Sequence, residues 1–394
     1  MTQPYLKKWG FVAFITSLSM IPPLATDLYM PALPEMVTVF NTTTTMTSLT
    51  MTIFFVCMAI GILLFGTLSD KFGRKPMLIN AILLTFLFSV ACSFAPTITF
   101  LIIARAIQAL GAGGMVSIAS ALIKDSFDGK EMSQVLSITQ SLGMLAPMLA
   151  PLLGALILTY FDWRKTFIAL ALLNSISFVA ALLLKETLPQ EKRTNDGIFQ
   201  SIWSITKVLK NKTFTSYLLI GSILTAPFMA YIAVASYVYV KGFGISETAF
   251  SIYFAITSAL AVVGPLLYMK IGSQSFKKTY SIIFTVIMIV GILLLTIGKI
   301  SPILFLISFV PFPMASMFFR PMISGIILQS QSTNIGAAAA MMNFGFTIVG
   351  SLAMLIGSLE WASYVNGIAI TILSFALISL IILLISKSRS WISI

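Results

Sequence analysis

Apolar residues along this chain come in long runs, and the polar residues gather in short links between them. A helix needs about 20 apolar residues to cross the roughly 30 Å hydrocarbon core of a bilayer. Twelve segments meet that length, at 10–34, 46–68, 77–95, 98–123, 132–159, 164–184, 213–240, 248–269, 278–298, 302–327, 335–357 and 363–385. Barrel strands would instead need alternating segments of roughly ten residues. The pattern therefore predicts an all-α integral membrane protein with twelve transmembrane helices. One link differs from the rest: residues 185–212 are long and polar, and they fall between the sixth and seventh runs. They divide the chain into an N-terminal six-helix bundle at 1–184 and a C-terminal one at 213–394. Within this link Ile198, Phe199, Ile202, Trp203, Ile205 and Leu209 recur at near-helical spacing beside Lys207 and Lys210. That spacing suits a helix lying on a membrane surface, either as a plain connector or as a regulatory element.

Composition agrees with this reading, since 58% of residues are hydrophobic and 9% charged, where a soluble domain carries about 25% charged residues. The net charge of +12 raises the question of nucleic acid, and its distribution answers it. With the N-terminus in the cytoplasm, eighteen of the 24 Lys and Arg residues fall on the cytoplasmic side. Arg164, Lys165, Lys241 and Lys299 fall outside, and Arg105 and Arg320 lie within spans. This bias places both termini in the cytoplasm. It makes membrane lipids, and not nucleic acid, the partner of the basic loops. The chain passes from Lys7 and Lys8 into apolar sequence beyond Met20 without a small-residue cleavage site, so the first span reads as retained and not as a removed signal peptide. Histidine is absent, and Cys57 and Cys92 sit inside apolar runs. No metal site, cofactor or disulfide framework is expected. No glycine-rich phosphate loop followed by Lys and Ser or Thr points to an ATP drive, and no acid pair within the spans points to a membrane enzyme.

Charge inside a membrane costs about 2.5–3.5 kcal/mol per residue on insertion scales, so each instance asks for a reason. Asp27 is the acidic residue placed most securely within a span. It lies seven residues before Pro34, about 10 Å inward at 1.5 Å per residue. Arg105 lies seven residues after Ile98 on a span entering from the same side, hence at a similar depth. A direct pair is geometrically possible. Asp27 then either exchanges a proton while Arg105 adjusts its affinity, or forms a buried ion pair that fixes helix packing. Glu35, eight residues beyond Asp27, falls near the outer mouth, as a further proton-coupling candidate or a solvated side chain. Arg320 has no acidic residue in any span of its half; it snorkels to inner headgroups or faces a cavity, where it would favour anionic or neutral polar substrates. Tyr29, Phe228, Tyr231 and Tyr237 join it as candidate substrate contacts, with core packing as the other reading of such aromatics.

The link after the second span reads Gly66-Thr67-Leu68-Ser69-Asp70-Lys71-Phe72-Gly73-Arg74-Lys75-Pro76. It resembles the signature loop of the major facilitator superfamily at every defining position. Further stretches narrow the resemblance: Asp27 to Pro34, Arg105-Ala106-Ile107-Gln108 with Gly111, Leu145 to Gly154, Phe228 to Ile232 and Phe243 to Ser246. Together they are similar to the bicyclomycin and chloramphenicol resistance (Bcr/CflA) branch of proton-coupled drug exporters. The resemblance implies a monomer in the bacterial cytoplasmic membrane that works by alternating access, with a small-molecule substrate and protons as partners. It implies that Gly66, Asp70, Gly73, Arg74 and Asp125 act in gating, and that Pro147, Pro151 and Gly154 form an antiporter kink. Two features depart from the family pattern. The link from Lys270 to Lys277 lacks an acidic residue, and Ala146 stands where the antiporter motif often has glycine. Uptake or facilitated diffusion of a small polar or anionic metabolite is the alternative to export.

Overall fold

A computed structural model describes residues 5–143, 145–194, 206–271, 275–331 and 335–392. Every regular element among them is helical. Eleven helical stretches are long and apolar enough to cross a membrane, and the shorter apolar helix Ala146–Tyr160 makes a twelfth. The first half runs α1 (Lys7–Asp27), a 3-10 turn (Met30–Ala32), α2 (Leu33–Val39), α3 (Thr44–Phe72), α4 (Arg74–Ser93), α5 (Ile98–Ser126), α6 (Gly129–Gly143), α7 (Ala146–Tyr160) and α8 (Arg164–Leu182). The second runs α9 (Lys212–Thr225), α10 (Pro227–Ser236), a π-helical turn (Tyr237–Gly242), α11 (Glu247–Ile271), α12 (Phe276–Thr296), α13 (Pro302–Phe309), α14 (Pro311–Gln329), α15 (Ile335–Gly357) and α16 (Tyr364–Ser388).

Several runs that read as single spans are assembled from pieces, and proline is the common cause. The first does not continue helically to residue 34: α1 stops at Asp27, and the chain turns through Met30–Ala32 before α2 begins. Pro31 and Pro34 lack the N–H groups that would bond the carbonyls of Asp27 and Met30. The fifth, expected as one helix over 132–159, comes as α6 ending at Gly143 and α7 starting at Ala146, with Leu145 in a turn, and Pro147 cannot donate to the Gly143 carbonyl. The expected surface helix of the central link rests on Ile198, Phe199, Ile202, Trp203 and Ile205, which lie outside the described residues. Leu209 follows in a short 3-10 turn, Lys207–Lys210. In the link from Lys270 to Lys277, residues 272–274 also lie outside them.

The chain falls into two compact units, Met1–Ala32 with Ile53–Trp203, and Leu33–Thr52 with Ser204–Ile394. Helix α3 therefore contributes to both, the residues up to Thr52 grouping with the second unit. In the first unit Phe11, Phe14, Ile15 and Leu18 of α1 form a core with Leu78 and Ile82 of α4 and Met115, Ile118 and Leu122 of α5. Small residues let α3 and α5 meet backbone to backbone: a Cβ on Gly113 would run into the Met58 carbonyl. In the second unit a Cβ on Gly264 of α11 would meet the Met314 carbonyl of α14 in the same way. The second and fourth spans of one half, and the eighth and tenth of the other, thus share one close contact, as expected of repeated halves. Large apolar side chains such as Ile176, Ile303 and Leu384 stay exposed on the outside, where lipid tails and not water are their solvent.

Candidate functional site

Two charged centres lie in the first unit. The deeper one is built around Arg105 of α5, which is fully buried. Its Nη1 donates to the Ala25 carbonyl at 3.0 Å and to Gln108 Oε1 at 2.6 Å, and its Nη2 reaches the Tyr29 hydroxyl at 3.5 Å. Gln108 lies three residues along α5, hence on the same face. It passes the contact on by donating to Ser89 Oγ at 2.7 Å, and Ser89 donates to the Thr85 carbonyl. Three rings enclose the guanidinium, with centroids at 4.2 Å for Phe54, 4.8 Å for Tyr29 and 5.7 Å for Phe167. Aromatic faces are favourable to a cation and offset part of its lost hydration. The Nε, although buried, has no hydrogen-bond partner among the described residues.

Asp27 closes α1 and is 5% exposed. Its Oδ1 lies 2.8 Å from the Thr26 hydroxyl, and the charge of Arg105 acts on it through space. The two do not form the direct pair that their depths allowed: no ion pair within 4.0 Å joins them. The strongly placed donors of the arginine are taken up by the backbone exposed where α1 ends and by Gln108. Gly154 of α7 presses on this same break, since a Cβ there would collide with the Leu28 carbonyl. Pro151 sits within α7 and Pro147 in its first turn. Tyr29 is buried, tilted against Phe167 at 5.1 Å, so it belongs to the wall around Arg105. Glu35 is exposed in the first turn of α2.

The second centre surrounds the turn between α3 and α4. Gly73 has φ +105°, a conformation that disfavours any side chain, and it joins two long helices without a linker. Arg74 Nε donates to Asp125 Oδ2 at 2.9 Å, and its Nη1 donates to Asp70 Oδ1 at 2.5 Å and to Ser69 Oγ at 2.8 Å. Asp125 also accepts from the Thr187 hydroxyl at 3.3 Å. Glu186, which carries no local signature in the sequence, holds the turn: its carboxylate accepts from the backbone N–H groups of Arg74 at 2.9 Å and Lys75 at 3.2 Å. Those are orphan donors at the start of a helix, where negative charge is also favoured by the helix dipole. A Cβ on Gly73 would meet Glu186 Oε2 at 2.5 Å. Gly66 lies one turn before this cluster, against Ser117 of α5. Nothing near residue 73 in the sequence marks Glu186, which is more than a hundred positions away.

In the second unit, Tyr231 is buried in an aromatic stack with Phe228, Phe254, Phe305 and Phe309, the last at 4.3 Å, and its hydroxyl donates to Thr257 Oγ1 at 3.5 Å. Phe228 is the half-buried end of that stack. Tyr237 stands apart from it, in the π-helical turn, where its hydroxyl lies 2.5 Å from Thr47 Oγ1 and donates to the Leu33 carbonyl at 3.3 Å. Around it Thr44 bonds the Tyr364 hydroxyl at 2.8 Å, Thr45 the Ser358 carbonyl at 2.7 Å, and Ser48 the Ala233 carbonyl at 3.2 Å. This row of hydroxyls explains why residues 33–52 group with the second unit. Arg320 of α14 packs against the Phe346 ring at 5.1 Å, and no carboxylate pairs with it among the described residues.

Twelve apolar helical stretches with charged groups held inside them describe a multi-pass membrane protein. Residues 12–354 match the Major Facilitator Superfamily, and the chain belongs to that family. It is 30% identical over 355 residues to the uncharacterized MFS-type transporter YdgK of Bacillus subtilis (strain 168), covering 87% of this chain and 85% of that one. It is 26% identical over 247 residues to the multidrug resistance protein MdtL of Escherichia coli O9:H4 (strain HS), covering 62% of each. Among solved structures a D-xylose-proton symporter shares the fold at 15% identity with a TM-score of 0.73, over 93% of this chain and 96% of that one. The protein is a transporter of small molecules and not an enzyme.

Proposed function

We propose that the protein exports small amphipathic molecules in exchange for protons, as a member of the Bcr/CflA branch. The observation that carries this reading is a buried carboxylate, Asp27, within electrostatic reach of a caged arginine that keeps one buried donor unused. Intramembrane acids mark proton pathways. Asp27 takes a proton from outside and gives it up when substrate arrives; Arg105 and burial act on its proton affinity in opposite senses. The free Nε gives Arg105 a donor for Asp27 or for substrate as the end of α1 shifts. The similarity to a multidrug resistance protein supports drug-like cargo. The halves at 1–184 and 213–394 provide alternating access, and the protein works as a monomer with both termini in the cytoplasm. The Asp70, Arg74 and Asp125 cluster holds the cytoplasmic gate.

Proton release on adding compounds to detergent-purified protein tests the reading. A compound that drives release in the native protein should drive none in Asp27→Asn, while still being bound. Undiminished release from Asp27→Asn would move the carrier to Glu35, and transport insensitive to the proton gradient in vesicles would overturn exchange altogether.

A further inference from the structure

A groove of about 330 Å³ lies at the Lys-rich end of the second unit. Its walls come from the start of α9 (Lys212, Thr215, Leu219), the end of α16 (Ile382, Ile385) and Trp391. The volume falls in the range of small-ligand sites, about 300–1,000 Å³. Leu219 and Ile385 are among its exposed members, so the groove opens on the lipid-facing side. At its head Trp391 folds back: Ser390 adopts φ +54°, Trp391 N donates to the Ser386 carbonyl at 2.9 Å, and Thr213 Oγ1 donates to the Trp391 carbonyl at 2.7 Å. Two cations flank its ring, Lys212 Nζ at 5.2 Å and Arg389 Cζ at 5.4 Å from the centroid.

Charge tells what covers the groove. Lys207, Lys210, Lys212, Lys387 and Arg389 are all exposed around this end, and none has a carboxylate within 4.0 Å among the described residues. The acidic residues after the central link are Glu247, which begins α11, and Glu360, in the link before α16, both at the opposite ends of their spans. A free anion would find the lysines but has no use for a wall of Leu and Ile. A neutral hydrocarbon would fill the wall but leave the cations unmatched. Basic pockets between spans, with a Trp at headgroup level, suit a ligand having both parts. We propose that this groove binds an anionic phospholipid of the adjoining leaflet, one acyl chain lying between α9 and α16 and the phosphate between Lys212 and Arg389. The site ties the segment leaving the central link to the last helix of the chain.

The full-length protein in detergent would be titrated with brominated phosphatidylglycerol, with brominated phosphatidylcholine of the same chains, and with inorganic phosphate plus unbrominated detergent. Quenching of tryptophan fluorescence should saturate with phosphatidylglycerol at concentrations at least tenfold below phosphatidylcholine. Most of the saturable part should disappear in Trp391→Phe. Lys212→Gln with Arg389→Gln, both at exposed positions, should weaken phosphatidylglycerol about fivefold per charge removed. Lys277→Gln with Lys278→Gln, at the same end but on α12, should not. Equal affinity for the two lipids, equal weakening by the two charge pairs, or quenching unchanged in Trp391→Phe would each overturn the site. Competition by inorganic phosphate at concentrations similar to the lipid's would show an ion site in place of a lipid one.

Discussion

Arginine 105 illustrates how one side chain can need its shape as well as its charge. Its planar fork serves the Ala25 carbonyl and Gln108 from a single nitrogen while its faces lie against aromatic rings. A lysine carries the charge but neither the fork nor the flat faces. Arg105→Lys should therefore reduce transport at least tenfold in a protein that still folds, read by counterflow in vesicles alongside a melting curve. Gly154 makes a second residue-scale test. A methyl there has no room because the Leu28 carbonyl occupies it, and overpacking of this kind costs about 1–3 kcal/mol. Gly154→Ala should lower the melting temperature and slow transport by pushing α7 away from the end of α1. The i to i+3 step from Arg105 to Gln108 was legible in the sequence. The absence of a direct bond to Asp27 was not, because equal depth along two helices leaves their rotation free.

At the scale of an element, the start of α4 depends on residues from three places. Arg74 is 9% exposed on its side chain, Asp125 17% and Asp70 52%, and the difference ranks their mutants. Removing Asp70 takes away the half-exposed acceptor while Arg74 keeps Asp125, a loss of about 1 kcal/mol or less. Asp70→Asn should leave the melting temperature nearly unchanged while slowing the conformational cycle. Asp125→Asn removes the more buried acceptor and should destabilise by roughly 3 kcal/mol, since a partly desolvated guanidinium is left short of a counter-charge. Calorimetry or fluorescence-detected melting distinguishes the two, and equal losses would contradict the ranking. Glycine at 73 and the acid-base pattern around it could be read directly, because a tight turn has a local chemical signature. Glu186 could not, because what selects it is the position where α8 ends, beside the orphan N–H groups of α4.

Over the whole molecule, the proposed orientation has a direct test. Thr194 follows α8 and donates its backbone N–H to the Asp70 carbonyl, so it shares the side of the Arg74 turn. After replacing Cys57 and Cys92, a Thr194→Cys variant should resist an impermeant thiol reagent in intact cells and react after permeabilisation. Ready labelling from outside would invert the topology. Tyr237 tests the row of hydroxyls that draws residues 33–52 into the second unit. Tyr237→Phe removes the bonds to Thr47 and Leu33 while Thr47 keeps its bond to the Thr44 carbonyl, at about 0.5–1.5 kcal/mol, and should lower the melting temperature accordingly. An unchanged melting temperature would mean that these bonds are absent in the resting protein.

The sequence alone determined the number of spans, their helical character and the signature of the family, because a bilayer leaves the backbone few options and imposes length and apolarity on every crossing segment. It also displayed each intramembrane charge, since such residues stand out against an apolar run. Which groups those charges face was decided only by the tertiary structure. Helix rotation places Arg105 among three rings, chain folding brings Glu186 to the start of α4, and hydroxyls spread along α3 find their partners in the second half of the chain. Hydropathy is a property of a segment, whereas a hydrogen bond between segments depends on rotation and offset, which no single segment contains.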